Sequence, residues 1–522
     1  MSESLYSGGT VGGLIIGAII RHGDRPALGD GTVRWTYAEL GDQIGRYIAV
    51  YKAMGLKRGN ALSILASNRA ESWAAMCAGL IMGMRYTPLH PLAAEDDQAF
   101  IVEDAEIDLL IVEGAKFGAR GEAIRARVPG LTHVLSFGPM DGVRDVLGLA
   151  AAVRPAPLID ESDADQIGWL AYTGGTTGRS KGVMLPHRAI IAMTLLLYGD
   201  WDWPAEIRYL AATPISHAAG VTIYPVMYRG GYVRLTQGFE AEAYCRVVAE
   251  EKITATFLVP TLVYALIDQP ALRAKYDLSS LDMIVYGAAP MSPDRLKEAM
   301  GIFGQVFVQL YGQTEAPQCI TTLRKVDHDL SRPERLGSCG RPSPFVDVKL
   351  FDQDMREVGV GMPGEICVRG PLVMAGYWKR PEATEETLRG GWLHTGDVAV
   401  KDAEGYLYIV DRTKDMIISG GFNIYPREVE DALMGHPSVA SAAVIGIPDE
   451  KWGEAVTAFV VLKQGANVGA AELQAHVKDK RGAPWSPKSV NFVDAIPVTG
   501  LGKIDRKVLR APYWEGRRRG VA

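Results

Sequence analysis

The sequence has few cysteines and no hydrophobic run long enough to cross a membrane. Its five cysteines are Cys77, Cys245, Cys319, Cys339 and Cys367, and no two of them have the spacing of a zinc knuckle or a redox pair. We therefore expect a cytoplasmic protein with reduced, mostly buried thiols. The apolar run at residues 11–20 is too short for a bilayer and no basic segment precedes it, so it predicts a buried helix.

The chain also lacks an excess of positive charge. Its formal net charge is −6, which argues against a general nucleic-acid binder. It contains 522 residues, too many for one core, and shows no internal repeat. We therefore expect about two to four folding units, and the composition is that of an ordinary globular protein.

A loop rich in glycine and threonine, residues 172–182, ends near one lysine, Lys181. Glycine lets backbone N–H groups approach a ligand, while threonine hydroxyls and the lysine charge suit phosphate. Tight apolar flanks disfavour a flexible linker. The loop is not a Walker A motif, because Ser180 rather than glycine precedes Lys181. The sequence therefore predicts a phosphate site outside the P-loop fold.

A second glycine pattern, at residues 359–364, matches G-x-G-x-x-G but is interrupted by Pro363 and followed by a strand-like run. A dinucleotide site requires a strand before the glycines and a helix after them, so this segment predicts a turn.

Segment periodicity indicates an α/β protein. Helix-like segments at 42–54 and 70–84 alternate with strand-like segments at 61–66, 109–112, 255–259 and 282–286, a pattern typical of largely parallel sheets. Residues 337–410 contain short strands, at 346–351, 365–368 and 406–410, and predict a small β-rich subdomain. From about residue 411, a helix at 426–434 and a strand at 440–447 indicate a compact α+β unit.

Further motifs follow in order: 311–315 (Tyr-Gly-Gln-Thr-Glu), 392–397 (Trp-Leu-His-Thr-Gly-Asp), 411–423 and 497–503. Together with the Thr/Gly loop, they resemble the adenylate-forming superfamily of acyl-CoA synthetases, peptide-synthetase adenylation domains and luciferases. The resemblance covers nearly the whole chain.

The resemblance implies a fold and a reaction. It implies an N-terminal domain over 1–412, with two layered α/β subdomains and a small β-barrel-like subdomain. A small mobile α+β domain would span 413–522, with its hinge near Lys414. In the reaction, a carboxylate attacks the α-phosphate of ATP to give acyl-AMP and pyrophosphate, and a thiol then displaces AMP.

The resemblance also assigns residue roles. The Thr/Gly loop would bind ATP through Thr173, Gly174, Gly175, Thr176, Thr177, Gly178 and Lys181. Further nucleotide contacts would come from Gly287, Ala288, Ala289, Tyr311, Gly312, Gln313, Thr314, Asp397 and Arg412. Mg²⁺ would be held by Thr176 and Glu315, and coenzyme A would meet Lys414, Gly420, Gly421 and Trp452. Catalytic roles would fall to Lys503, Glu315, Thr314, His217 and Lys181.

Two interpretations of the thiol acceptor stay open. Coenzyme A is favoured because no carrier domain is visible; the alternative is a stand-alone enzyme that loads a separate acyl carrier protein. Taken alone, Trp452 fits a packed tryptophan at the surface as well as it fits a coenzyme A contact. Trp485 stands where relatives often have a lysine that contacts CoA phosphate. The basic tail at 517–519 is one candidate substitute, but a solvated tail is the favoured interpretation. A homodimer is compatible with the sequence, although no residue indicates one.

The acid is expected to be apolar. No acidic residue occurs between Pro214 and Arg229, so an amino-acid ammonium would lack a partner. The expected pocket residues are His217, Ala219, Val259, Pro260, Ala288 and Leu310. Leu310 stands where many relatives have glycine, and its bulk would shorten or redirect the pocket. Medium-chain, aryl, branched and polycyclic acids all remain open.

Overall fold

The computed structural model describes residues 9–173, 180–412, 415–419, 422–449, 452–498 and 504–515, except the side chains of Asp411, Arg412 and Asn423. In these ranges, the α-helices are α1 (Val11–His22), α2 (Tyr37–Ala53), α3 (Ala70–Ile81), α4 (Glu95–Asp104), α5 (Gly114–Arg127), α6 (Val146–Ala151), α7 (His187–Asp200), α8 (Ala218–Tyr228), α9 (Ala241–Glu251), α10 (Pro260–Ile267), α11 (Pro270–Lys275), α12 (Pro293–Phe303), α13 (Pro381–Thr387), α14 (Pro426–Met434), α15 (Ala470–Arg481) and α16 (Arg506–Trp514). Short 3₁₀ helices span Lys325–Asp327, Pro333–Gly337 and Arg389–Gly391.

The strands in the same ranges are β1 (Pro26–Gly29), β2 (Arg34–Thr36), β3 (Ala61–Leu65), β4 (Arg85–Pro88), β5 (Leu109–Glu113), β6 (His133–Phe137), β7 (Arg144–Asp145), β8 (Ile167–Thr173), β9 (Lys181–Pro186), β10 (Arg208–Ala211), β11 (Tyr232–Leu235), β12 (Ala255–Leu258), β13 (Met283–Gly287), β14 (Phe307–Gln313), β15 (Ala316–Leu323), β16 (Arg341–Pro342), β17 (Asp347–Phe351), β18 (Pro363–Arg369), β19 (Gly376–Tyr377), β20 (Leu393–Lys401), β21 (Leu407–Arg412), β22 (Ile417–Ser419), β23 (Phe422–Ile424), β24 (Val439–Asp449), β25 (Gly453–Leu462) and β26 (Ser489–Phe492).

The helices expected near the start are present, with shifted ends. The apolar run at 11–20 lies in α1, where the Thr10 hydroxyl caps the helix by accepting the Gly13 N–H. Helix α2 begins before the expected residue 42, because Thr36 and Glu39 form a reciprocal capping box. Helix α3 ends at Ile81, ahead of the expected residue 84.

One sheet has nine strands in the order β16-β15-β14-β13-β12-β10-β11-β1-β2. The strands from β14 to β1 in this order are all parallel to their neighbours, and β15, β16 and β2 add antiparallel edges. Because parallel strands end at the same edge, the segments after β10, β12, β13 and β14 emerge on one side of the sheet.

A second sheet has eight strands in the order β19-β9-β8-β4-β3-β5-β6-β7. It is parallel from β8 to β7, whereas β9 and β19 run antiparallel. Strands β3 and β5 are buried along their whole length, as their continuous apolar sequences predict. The two sheets confirm the layered α/β class.

Apolar packing joins these two sheets into one body. The core includes Ile15 of α1, Trp73 of α3 and Tyr224 of α8. The rings of Trp73 and Tyr224 are 5.4 Å apart, and the Tyr224 hydroxyl accepts a hydrogen bond of 3.1 Å from the indole of Trp169 in β8. These contacts fix the relative position of the two sheets.

The expected β-rich region is an antiparallel sheet of four strands in the order β17-β18-β20-β21. The glycine pattern at 359–364 lies at the connection between β17 and β18. Gly361 has a φ of +81°, and β18 begins at Pro363. This segment is therefore a turn, as predicted.

The C-terminal segment has a sheet of its own, β23-β22-β25-β24, with β26 paired to β25. Its apolar core includes Val429, Val444, Val456 and Leu473, and α14 coincides with the expected helix. The domain boundary after residue 412 and the hinge at Lys414 stay predictions, and Lys414 lies outside the described residues.

The five cysteines are all buried and free. Burial raises the pKa of the Cys245 thiol to about 11 and that of Cys367 to about 12, so both stay protonated at neutral pH. Among the described residues, no helix has both the length and the apolar composition needed to cross a membrane.

Candidate active site

The ends of parallel strands from both large sheets meet in one region. Asn68, just after β3, donates to the Thr213 carbonyl (2.9 Å) and accepts the Ile215 N–H (2.9 Å) in the segment after β10. The ring of His90, just after β4, lies edge-on to that of His217, with centroids 4.6 Å apart. This region is where open α/β sheets usually bind their ligands.

Strands β8 and β9 hold the two ends of the Thr/Gly loop. Thr173, the last residue of β8, is paired with Lys181, the first residue of β9. The Trp378 N–H binds the Gly182 carbonyl at 2.8 Å and so supports the second strand. The predicted ATP contacts between them lie outside the described residues: Gly174, Gly175, Thr176, Thr177 and Gly178.

Lys181 and Glu315 both contact Tyr377, a residue that the sequence did not single out. The Lys181 ammonium lies 5.0 Å from the centre of the Tyr377 ring. The Tyr377 hydroxyl donates a hydrogen bond of 2.7 Å to Oε1 of Glu315. Burial, reinforced by the Glu315 charge, raises the pKa of Tyr377, so its hydroxyl stays a donor at neutral pH.

A second network surrounds Asp397, which is buried in β20. Its Oδ2 atom accepts hydrogen bonds from the Tyr311 hydroxyl (2.7 Å) and the Gln313 amide (2.8 Å). The same Gln313 amide donates to the Thr395 carbonyl at 2.8 Å. Burial, together with Asp397, raises the pKa of Tyr311. The carboxylate is therefore held in one orientation at the end of β14.

The predicted adenine wall lies beside this network. Gly287 ends β13 and is paired with Leu310 of β14; a Cβ on Gly287 would come within 2.5 Å of the Leu310 carbonyl. Ala288 follows with a φ of +62°, an uncommon conformation for a residue with a side chain, and Ala289 comes next. Strained backbone of this kind often occurs at ligand sites.

The remaining residues of the 311–315 motif connect the two networks. Gly312 lies in β14, and Thr314 lies in the turn between β14 and β15. Glu315 completes the turn, and its carbonyl accepts the Met374 N–H at 2.8 Å. Arg412 is paired with Asp397 through the β20–β21 ladder, and its side chain is outside the described set.

His217 is the N-cap residue of α8. Its Nδ1 lies 3.0 Å from the Ser216 hydroxyl. Burial lowers the pKa of the neighbouring His90, and His90 Nδ1 accepts the Leu92 N–H at 3.1 Å. His90 is therefore neutral at physiological pH, with its remaining ring proton on Nε2.

The other predicted pocket residues come from adjacent elements. Ala219 is buried in α8, while Val259 is the N-cap residue of α10 directly after β12 and Pro260 is its first residue. Leu310 is buried opposite Gly287. Since β12, β13 and β14 are parallel neighbours, Val259 and Ala288 follow strands that end at the same edge. These side chains are apolar or small, as the sequence predicts.

The predicted coenzyme A residues are described only in part. Trp452 is 37% exposed, and the Lys488 ammonium lies 4.9 Å from its ring centre. Trp485 donates to Glu428 at 2.8 Å and packs on Phe422, so it supports the C-terminal unit. Lys414, Gly420, Gly421 and Lys503 lie outside the described residues.

One further group of potential metal ligands, Glu365, Cys367 and His394, lies next to the Asp397 strand. Glu365 accepts the Gly396 N–H at 2.9 Å and contacts His394 Nδ1 at 2.7 Å. The Arg389 guanidinium is 3.3 Å from the same carboxylate and would repel a cation. This group therefore fits a support for the turn before Asp397 better than a metal centre. Glu315, a carboxylate at the turn after β14, remains the predicted Mg²⁺ ligand.

The chain is similar to known proteins over nearly its whole length. The chain matches the model of the AMP-binding enzymes over residues 18–378 and that of the AMP-binding enzyme C-terminal domain over residues 428–503. It is similar to the medium/long-chain-fatty-acid–CoA ligase FadD8 of Mycobacterium tuberculosis, with 45% identity over 98% of this chain and 91% of that protein. It is also similar to a feruloyl-CoA synthase of Amycolatopsis, with 37% identity over 93% of this chain and 96% of the relative.

Among solved structures, the amide bond synthetase McbA from Marinactinospora thermotolerans has a TM-score of 0.89 and 34% identity. The match covers 97% of this chain and 100% of that chain. The fold of this chain thus occurs over nearly its whole length in a known protein.

Proposed function

The chain belongs to the AMP-binding enzyme family and is an ATP-dependent acyl-CoA ligase, and we propose that its acid substrate is apolar and of medium length. One observation supports the assignment of its nucleotide residues above all. The Lys181–Tyr377–Glu315 and Tyr311–Gln313–Asp397 contacts join side chains from all three sheets of the N-terminal region at the end of β14.

In the first half-reaction, a carboxylate oxygen of the acid attacks the α-phosphorus of ATP, and the bond to the bridging oxygen of pyrophosphate breaks. Thr173 and Lys181 bind the β- and γ-phosphates. Thr314 and Lys503 stabilise the charge that develops on the α-phosphate. Asp397 accepts from the ribose hydroxyls, and Tyr311 lies against adenine with Gly287, Ala288 and Ala289 opposite. Most of the protein's contribution is positioning of the two reactants.

Mg²⁺ is the metal that the family implies, and Glu315 with Thr176 would hold it. When bound, it neutralises phosphate charge. The Glu315 carboxylate is suited to this ion because its Oε1 atom is oriented by the Tyr377 hydroxyl.

In the second half-reaction, the thiolate of coenzyme A attacks the acyl carbonyl carbon and AMP leaves. His217, at the start of α8, lies near the reacting carboxyl group. Gly420, Gly421 and Trp452 contact coenzyme A after the C-terminal domain turns about Lys414. The turn withdraws Lys503 and explains how one cleft serves both steps.

The acid is assigned from the pocket residues and from the relatives. The proposed acyl pocket is apolar at Ala219, Val259, Pro260 and Leu310. Its polar groups are the rings of His90 and His217. Two relatives carry the names of a medium/long-chain fatty-acid ligase and a feruloyl ligase. Because Leu310 packs across Gly287, we expect linear acids of medium length or single-ring aryl acids to be used better than long straight chains.

The test is a panel of apolar acids incubated with ATP and Mg²⁺, with and without coenzyme A. Mass spectrometry follows acyl-AMP and acyl-CoA. We expect acyl-AMP without coenzyme A and acyl-CoA with it, best for medium-length acids. Acyl-AMP that persists with coenzyme A, and disappears with a phosphopantetheinylated carrier protein, would replace coenzyme A by the carrier as acceptor.

A further inference from the structure

Tyr377 contacts both Lys181 and Glu315. We propose that Tyr377 is a positioning residue that presents Glu315 to Mg²⁺ and Lys181 to the ATP phosphates as two separate sites. The proposal rests on the function proposed above and adds a residue to it.

The short strand β19 determines where the Tyr377 ring lies. Tyr377 is paired with Val183 of the antiparallel strand β9, in which Lys181 is two residues away. Residues two apart in a strand share a face, so Lys181 is a diagonal neighbour of Tyr377. The ring therefore lies within cation–π distance of the Lys181 ammonium, 5.0 Å from its centre.

The segment around Tyr377 is fixed on both sides. Gly376 has a φ of +138°, and a Cβ there would come within 2.6 Å of the Thr384 methyl group. The Thr384 hydroxyl accepts the Tyr377 N–H at 2.8 Å. The Met374 N–H binds the Glu315 carbonyl at 2.8 Å, so Glu315 is attached to this segment through its backbone as well as its carboxylate. The Tyr377 hydroxyl thus has little freedom to leave Glu315.

The chemistry of the two contacts is complementary. The neutral hydroxyl donates to Oε1 of Glu315 and so orients the carboxylate. The negative face of the ring attracts the ammonium of Lys181. A direct ion pair between Lys181 and Glu315 would compete with both Mg²⁺ and phosphate. Tyr377 offers each charge a partner that the incoming ligand can share or displace.

Calorimetric titration of ATP at several Mg²⁺ concentrations, without any acid, tests the hydroxyl. Tyr377→Phe retains the ring and removes the donor to Glu315. We expect the Mg²⁺ concentration for half-maximal ATP binding to rise about tenfold, since a hydrogen bond to a charged group is lost. A change of less than about twofold would overturn the proposal. Thermal melting confirms that each variant is folded.

Tyr406→Phe is the matched control. The Tyr406 hydroxyl also donates to a carboxylate, Oδ1 of Asp327, at 2.6 Å, and neither residue is assigned to the nucleotide site. Its loss removes the same kind of bond without touching Glu315, so we expect the Mg²⁺ requirement to stay within about twofold of wild type. An equal rise in both variants would indicate a general effect of losing a buried tyrosine hydroxyl and contradict the role of Tyr377.

Two further variants separate positioning from packing. In a Glu315→Gln background, Tyr377→Phe is expected to change the Mg²⁺ requirement by less than about twofold; a full additional tenfold rise would contradict action through Glu315. Tyr377→Leu, which removes the ring, is expected to weaken ATP binding at saturating Mg²⁺ about threefold beyond Tyr377→Phe. Equal affinities of these two variants would refute the Lys181 part of the proposal.

Failure of the enzymatic function is distinguishable from failure of this inference. Wild-type protein that binds ATP with the expected Mg²⁺ dependence, yet forms acyl-AMP from no acid, would contradict the proposed function and leave the role of Tyr377 intact.

Discussion

The residues proposed for the nucleotide and those proposed for the acid have different surroundings. On the proposed nucleotide side, hydrogen bonds orient a buried carboxylate, as Tyr311 and Gln313 hold Asp397. On the proposed acyl side, the residues are apolar and buried, such as Ala219 and Leu310, and the rings of His90 and His217 are in contact. We infer that directional bonds specify the first side and shape specifies the second.

This difference explains how the same fold acts on different acids. A change in a buried hydrogen-bond network leaves a partner unsatisfied and affects every substrate equally. A change in an apolar wall alters volume and affects one acid more than another. We therefore expect variants on the nucleotide side to lower activity with all acids, and variants on the acyl side to change the order of acids.

Asp397→Ala is expected to have the largest effect. It leaves the Tyr311 hydroxyl and the Gln313 amide without their common acceptor and removes the predicted ribose contact. We expect kcat/KM for ATP to fall at least about 100-fold with every acid. The control is Asp160→Ala, far along the chain, whose carboxylate accepts the Ser162 N–H at 3.0 Å. A fall in kcat/KM with only some acids would contradict the proposed distinction between the nucleotide side and the acyl side.

The free energy of unfolding is expected to depend on pH through His328, which contacts strand β13. His328 is buried and neutral, donates to the Arg324 carbonyl (2.8 Å) and lies 3.1 Å from the hydroxyl of Tyr286 in β13. Burial lowers its pKa to about 4. The unfolded chain thus binds a proton below pH 6.5 that the native state does not, and stability falls as the pH drops towards 4.

We expect His328 to account for about 2 kcal/mol of the stability lost between pH 7 and pH 5. Urea unfolding of wild type and His328→Gln at both pH values measures this. The variant is expected to be less stable at pH 7 and to lose less on acidification. Parallel losses in the two proteins would mean that His328 does not carry the effect.

Leu310→Gly is the matching test of the acyl side. If Leu310 bounds the acyl pocket as proposed, removing the side chain that packs across Gly287 lengthens the space available to an acid. We expect the ratio of kcat/KM for a long-chain acid over a medium-chain acid to rise about tenfold, with KM for ATP little changed. Val308→Ala, a buried position in the same strand, controls for loss of packing. An unchanged ratio would remove Leu310 from the pocket.

Asn68→Ala is expected to have the smallest effect. Asn68 binds the segment that carries His217, through Thr213 and Ile215. Its loss should lower the free energy of unfolding by about 1 kcal/mol and raise KM for the acid more than KM for ATP. Denaturant unfolding and steady-state kinetics measure the two changes. A larger rise in KM for ATP would contradict the assignment of this segment to the acyl side.

Several parts of the fold and the site could be predicted from the sequence. Continuous apolar runs predicted β3 and β5, and proline at 363 predicted a turn where glycines alone suggested a nucleotide motif. The helix predicted at 42–54 began too late, because the prediction rested on periodicity and not on the capping box of Thr36 and Glu39 that starts α2. The motifs at 311–315 and 392–397 fall on β14 and β20, whose residues are in contact in the structure.

Other features depend on contacts between distant segments. Tyr377 lies in a two-residue strand, too short to have a periodic pattern, and acquires its partners only because β19 pairs with β9. His90 meets His217 because two sheets are packed together, and nothing near His90 in the sequence indicates this. The contacts of Tyr377 and His90 form only in the tertiary structure, and local secondary-structure propensity does not predict them.

The most direct test of the account is exchange of labelled pyrophosphate into ATP. The purified protein is incubated with ATP, Mg²⁺, labelled pyrophosphate and a medium-length apolar acid, without coenzyme A. We expect exchange that requires the acid and proceeds without coenzyme A, because acyl-AMP forms before the thiol acts. Exchange that requires coenzyme A, or release of ADP and phosphate instead of AMP and pyrophosphate, would contradict the two-step mechanism.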